Sequence, residues 1–462
     1  MKKTGTMTNP LGTENIGKLI IKYAIPTIIS NVVNSLYNMV DQIFIGNGVG
    51  YLGNAATNII LPLVTFVMAL GMMIGDGTAA YMSLNLGKGE TDRAAKGVGN
   101  AITLTVSVGI IFTILVEIFL EPLCHLFGAT VDNLPYAISY GRIIVLGFPF
   151  AMICASFGGM IRADGRPKES MIGLLIGCIT NMVLDPIFIF VFKLGVSGAA
   201  LATIIGQMLN AMFFIICMFR FKFIKLKKEY FVLKGNICKS VCGLGTSSFI
   251  TQGSTVVVIT VLNNALGTYG AFSKYGADIP LAALGITMKV NQLTSGVAVG
   301  IAAGVQPILG YNYGSGQYDR VKKSFWLSLT AGTLILVAAF VVFQVFPEQI
   351  VLLFGQESEL YMEFAVKCFR TYLAGCFLIP AGAVTGIFFQ SIGKTVHAAI
   401  LSLSRQVILL VPSVIIFGMI GGIEGILWSG AFSDCWSGII SLITVARCWK
   451  GIFKKEFNGN TF

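Results

Sequence analysis

Twelve apolar runs, each about 20 residues or longer and joined by short polar connections, dominate this chain and restrict what it can become. At about 1.5 Å of rise per residue, one such run crosses the roughly 30 Å of bilayer hydrocarbon as a helix. The runs lie near 18–46, 54–82, 95–121, 134–160, 169–192 and 196–219, then near 238–268, 277–308, 324–347, 360–389, 396–418 and 421–447. Of the 462 residues 55% are hydrophobic and 11% charged, against roughly 25% charged in soluble domains. Twelve spans consume the length, so no sizeable soluble domain is expected.

The formal net charge of +11 does not imply a nucleic-acid partner, because the basic residues make no continuous patch. They gather in alternate connections: Lys2 and Lys3; Lys88, Arg93 and Lys96; Arg162, Arg166 and Lys168; Arg220 to Lys228; Arg320, Lys322 and Lys323; Lys394; Arg447, Lys450, Lys454 and Lys455. The intervening connections carry acids such as Glu121, Asp132, Glu348, Glu357 and Glu424. Positive charge marks cytoplasmic loops, so the expected product is a multi-pass cell-membrane protein with both termini cytoplasmic. Residues 1–16 have no apolar stretch before a small-residue cleavage site, and no removable signal peptide is expected. Ten cysteines, most inside apolar runs, and two histidines suggest packing rather than a zinc site.

The chain repeats itself at about half its length. Gly87-Lys88-Gly89 with Asp92-Arg93 returns as Gly314-Ser315-Gly316 with Asp319-Arg320; Leu126-Phe127-Gly128 returns as Leu353-Phe354-Gly355; Arg162 to Gly165 aligns with Gln390 to Gly393. An even number of spans per half makes the repeats parallel, with a substrate cleft expected between them. The predicted organisation is a six-helix bundle over 1–219 holding a cation-coupling site, a basic cytoplasmic linker over 220–235 meeting anionic lipid, and a second six-helix bundle over 236–462.

Ionisable side chains within spans are functional candidates by default, because hydrocarbon penalises charge. Asp41 ends a helical stripe with Asn34, Tyr37 and Asn38; Asp185 follows Asn181 by one turn; Thr203, Gln207 and Asn210 share a face of the sixth span. All three stripes belong to the first half. The repeat places Tyr269 and Ser413 opposite Asp41 and Asp185, so the acids are not part of the shared architecture. Two carboxyls in one low-dielectric pocket suit proton loading and release, and with Asn181 and Thr203 they equally suit Na⁺. The alternative is a permanently bonded pair that only packs helices. Asp76 is expected near the watery cytoplasmic mouth, while Lys289, Arg405 and Asp434 either pair between helices or line the cleft. Pro186 would bend the fifth span.

No glycine-rich phosphate loop, nucleophile elbow or zinc-protease helix occurs, which argues against ATP-driven pumping and covalent catalysis. Tyr37-Asn38-Met39-Val40-Asp41, Leu86-Gly87-Lys88-Gly89 with Tyr313-Gly314-Ser315-Gly316, Ile161 to Pro167, Asn181 to Pro186 and Ser404-Arg405-Gln406 resemble the multidrug and toxic compound extrusion family, within it the MepA-type bacterial exporters. The resemblance implies a V-shaped fold of two six-helix bundles, with export of cationic or amphiphilic drugs in exchange for H⁺ or Na⁺. It assigns the cation site to Asp41, Asn181, Asp185 and Thr203 beside Tyr37. Asn34, Asn38, Gln207, Asn210, Lys289 and Arg405 remain candidates for the substrate cleft. A second family site, with a Glu on the seventh span and an Asp on the tenth, is not matched, since Glu363 stands only at the start of the tenth. No cofactor beyond the coupling ion is expected, and the partners are small organic molecules and membrane lipid, with the chain acting as a monomer. A lipid-linked oligosaccharide flippase of the related exporter superfamily is the alternative, with Lys289 and Arg405 as its basic residues.

Overall fold

The computed structural model describes residues 9–276, 278–353 and 358–453. Lys2, Lys3, Phe354, Gly355, Glu357, Lys454 and Lys455 lie outside the described residues. The described chain is all-helical, because a backbone in lipid must satisfy its own hydrogen bonds. The first half supplies α1 (Ile16–Val49), α2 (Tyr51–Gly87), α3 (Thr91–Ile118), α4 (Leu134–Leu146 with Phe148–Ala163), α5 (Pro167–Pro186) and α6 (Gly195–Met218). The second supplies α7 (Gly235–Ala271), α8 (Asp278–Gly314), α9 (Tyr318–Val345), α10 (Glu359–Tyr372 with Ile379–Ser391), α11 (Thr395–Leu403 continuing over 404–421) and α12 (423–453).

Among the described residues ten helical stretches are long and apolar enough to cross a membrane, and a bent pair makes an eleventh. One of the ten, Thr395–Trp449, has 55 residues, about 80 Å at 1.5 Å per residue and far too long for one crossing. It breaks at Gly422, where φ is 58° and ψ −141°. That left-handed backbone is open to glycine at little cost, so α11 and α12 are two spans and the total is twelve.

The fourth span is not the continuous helix expected over 134–160. It bends by 52° between Leu146 and Phe148. Pro149 brings no amide hydrogen and disfavours helical backbone in the residue before it. Its counterpart, α10, is interrupted by a 3-10 segment, Leu373–Leu378, just ahead of Pro380. In α5, Pro186 is followed by a π-helical turn, Ile187–Val191, and α11 contains another at Ser404–Leu410.

The halves meet along α1, α2, α7 and α8, which run to 34, 37, 37 and 37 residues. Their contact is closest at the end that carries the basic loops. A Cβ at Gly245 of α7 would lie 1.7 Å from the Met73 carbonyl oxygen, and one at Gly77 of α2 would lie 2.1 Å from that of Val241. Gly314 approaches Leu84 and Gly87 approaches Tyr311 as closely, at 2.2 and 2.1 Å. Backbone contact this tight admits no side chain, and small residues at helix interfaces make it possible in membranes. The linker is fastened to the first half: Asn100 donates to the Tyr230 carbonyl at 3.0 Å and accepts from Lys234 N at 2.6 Å, and Thr103 donates to the Phe231 carbonyl at 2.8 Å.

Candidate ion-coupling site

Three helices of the first half bring their polar stripes to one point. Asn181 on α5 is buried, 2% exposed, and its amide nitrogen donates to Asp185 Oδ1 at 3.3 Å and to Thr203 Oγ1 of α6 at 3.1 Å. Asp185 is fully buried. Asp41, from α1, lies within hydrogen-bonding reach of Asp185, and Tyr37 lies against Thr203. Two carboxylates in such contact repel unless a proton or a cation stands between them.

The unsatisfied atoms say what would complete the cluster. Asp41 Oδ1, Asp185 Oδ2 and Asn181 Oδ1 are buried with no hydrogen-bond partner. All three are acceptors, and an orphaned buried acceptor is costly. A proton on one carboxyl, or a hard cation among the oxygens, supplies what is missing; carboxylate, amide and hydroxyl oxygens are the donor set for such ions. Among the described residues no three His, Cys, Asp or Glu side chains come together to hold a metal.

A fourth helix contributes a group that the stripes did not reveal. Tyr140 of α4 faces both Asp41 and Asp185. Asn133, Tyr136 and Ser139 precede it at helical spacing near the end of its span, and the packing of α4 turns Tyr140 towards the two acids.

The family model for MatE matches residues 26–187 and again 256–415, once in each half. The chain belongs to the MatE family. Similar proteins include the multidrug export protein MepA of Staphylococcus saprophyticus, 25% identical over 93% of this chain and 94% of that protein. MepA of Staphylococcus aureus is 26% identical over 93% of each. Among solved structures, a MATE family transporter of the MOP superfamily in an outward-facing conformation superposes with a TM-score of 0.91 at 23% identity, over 97% of this chain and 99% of that one. A MOP superfamily transporter from Pyrococcus furiosus gives 0.89 at 22%, over 97% and 99%. At these identities the superpositions establish the fold. This MatE chain is accordingly a multi-pass membrane transporter and not an enzyme.

The remaining candidates separate. Asn34 and Asn38 are exposed on α1, and Gln207 is half-buried on α6. Asn210 is buried at 6% exposure and packs against Gly173 and Gly177 of α5, which sets it inside the first bundle and away from the cleft. Arg405 is committed to Asp434, Nε to Oδ1 at 2.7 Å, whereas Lys289 is exposed on α8. Asp76 departs from the watery mouth expected for it. It sits at the seam between the halves, accepting from Ser248 Oγ at 2.8 Å, while its carbonyl accepts from Gln306 at 3.3 Å. Gln390 donates onward to Ser248 at 3.4 Å. Glu363 is bound by Lys274 at 2.9 Å and by Tyr275, at the far end of the second half.

Proposed function

We propose that this MatE transporter exports amphiphilic and cationic small molecules from the cell in exchange for H⁺, or alternatively Na⁺, entering through Asp41 and Asp185. The observation that carries the reading is the pair of facing carboxyls with unpartnered oxygens, present in the first half and absent from the second. The names of the MepA relatives support multidrug export.

The geometry suggests an order of events. Asp41 is partly exposed and Asp185 fully buried, so Asp41 stands between the cleft and the inner carboxyl. An ion arriving from the cleft meets Asp41 first and is then shared with Asp185, with Asn181 holding the inner oxygen and Thr203. Once neutralised, Asp41 and Asp185 no longer repel each other, and α1, α5 and α6 can repack. The basic loops are taken as cytoplasmic, which opens the cleft outwards and puts both termini in the cytoplasm of a cell-membrane protein. Each half supplies one wall of the cleft, so a monomer suffices.

Efflux of a cationic dye from proteoliposomes, under an imposed pH gradient and then an imposed Na⁺ gradient, tests the reading. The pH gradient should drive efflux and Asp41→Asn should reduce it to background with the protein still folded; efflux driven by Na⁺ alone would assign the ion as Na⁺. Full gradient-driven efflux by Asp41→Asn would remove the carboxyl pair from coupling.

A further inference from the structure

Lys289 lacks a counter-charge. It is an exposed residue inside α8, and among the described residues no carboxylate or hydrogen-bond acceptor reaches it. Acyl chains are a poor environment for an ammonium, so what this side chain faces decides its meaning.

The face of α8 that carries it can be followed from the seam. A Cβ at Gly304 would lie 2.7 Å from Ala24 Cα, one at Gly300 2.8 Å from Ile28 Cα, and one at Gly296 3.6 Å from Asn31 Cβ. Asn31 also donates to the Gly296 carbonyl at 3.1 Å. Three- and four-residue steps away from the basic end continue this face through Gln292, Lys289 and Gly285, all exposed. On α1 the matching face passes from Ala24, Ile28 and Asn31 to Asn38 and Gln42, again exposed. Asn38 and Lys289 are equally far from the Asn31–Gly296 contact, seven residues along each helix or about 10 Å. They confront each other across the cleft, beyond the point where the halves part.

The other two walls add no acid. Past the edge contact of Phe66 with Phe249, ring centroids 5.8 Å apart, α2 offers Asn58 and α7 offers Asn263, both exposed. Asp41 is on a neighbouring face of α1, turned to Asp185. Among the described residues of α1, α2, α7 and α8 beyond the seam, Lys289 is the only Lys or Arg at this level, with the amides of Asn38 and Gln292 beside it.

We propose that Lys289 holds the oxyanion of an amphiphilic substrate, a carboxylate or a phosphate, and that the cleft therefore takes acidic and zwitterionic amphiphiles as well as cations. The ammonium supplies a point charge with three donors and the amides of Asn38 and Gln292 can donate beside it. Asp41 stands three residues further along α1, about 4.5 Å in rise, so a zwitterion can present its anion to Lys289 and its cation towards Asp41. This substrate class rests on the cleft being the export path proposed above.

Binding of radiolabelled cholate, tetraphenylphosphonium and lysophosphatidate to the purified full-length chain, with Lys289→Gln and Lys289→Arg, provides the test. Cholate should bind the parent chain, weaken about tenfold in Lys289→Gln and hold in Lys289→Arg, while tetraphenylphosphonium binds all three alike or tighter to Lys289→Gln. Lysophosphatidate binding that depends on Lys289, without cholate binding, would also support an oxyanion site and assign its source to a lipid headgroup. Absence of both, or equal binding by Lys289→Gln, overturns the proposal. Gradient-driven flux of tetraphenylphosphonium and its loss in Asp41→Asn report on coupling separately, so either reading can fail without the other.

Discussion

Asp164 and Arg166, in a motif that pointed to the family, act as a fastener between the first bundle and the linker. Asp164 is fully buried and Arg166 is 6% exposed. The carboxylate accepts from the backbone amides of Lys222 and Phe223 at 2.8 and 3.0 Å and from Arg166 Nε at 3.2 Å, and Arg166 donates to the Cys217 carbonyl. Asp164→Asn would strand a buried guanidinium, which costs about 3 kcal/mol; the melting temperature should fall, and Asp164→Asn with Arg166→Gln should recover part of it. Burial raises the Asp164 carboxyl from 3.8 to about 6 against the pull of those amides and of Arg166. The stripes of Asn34 to Asp41, Asn181 to Asp185 and Thr203 to Asn210 were legible because helical periodicity puts each on one face. Tyr140 was not, since it carries no charge and stands with Tyr136 and Ser139 in the first turns of its span, where polar groups near the interface are ordinary, and Asn210 took part in its stripe without reaching the cleft.

Helices were legible as apolar runs, and their breaks only as prolines. Phe148-Pro149 and Ile379-Pro380 both sit where the fourth span of a half loses its regular ladder, a signal that length alone conceals. Gly422 divides what apolarity would join. The seam was less visible, because a glycine in a span reads as permissive until the opposing backbone is known. Gly245 is the most demanding of these positions: any side chain must displace the Met73 carbonyl, 1.7 Å from its Cβ. Gly245→Val should hold α7 off α2 at the basic end. Spin labels placed on Lys88 and Lys322 should then report a longer separation, and dye efflux should slow, while Gly243→Val, whose Cβ meets nothing within 4 Å, changes neither.

At the scale of the molecule, a carrier needs two mutually exclusive closures, and this one is closed at its basic end. Glycine-lined backbone contacts seal that end, and the polar joint of Asp76, Ser248, Gln306 and Gln390 crosses the same seam. Every one of these contacts must break before substrate can enter from the basic side. Packing and hydrogen bonds of this kind are replaceable by lipid-shielded or watery alternatives at modest cost, which suits an interface that opens in each cycle. The hydrogen bond of 2.8 Å between Asp76 and Ser248 places their side chains within reach of a short bifunctional thiol reagent. With the ten native cysteines replaced, Asp76→Cys with Ser248→Cys should stop dye efflux when cross-linked and regain it on reduction. In intact cells a membrane-impermeant thiol reagent should label Asn38→Cys from outside and spare Gln306→Cys, and cross-linking should preserve that contrast. Efflux at the uncross-linked rate would mean that the halves do not part at this seam. Labelling of Gln306→Cys from outside, with Asn38→Cys protected, would reverse the orientation and turn the cleft towards the cytoplasm.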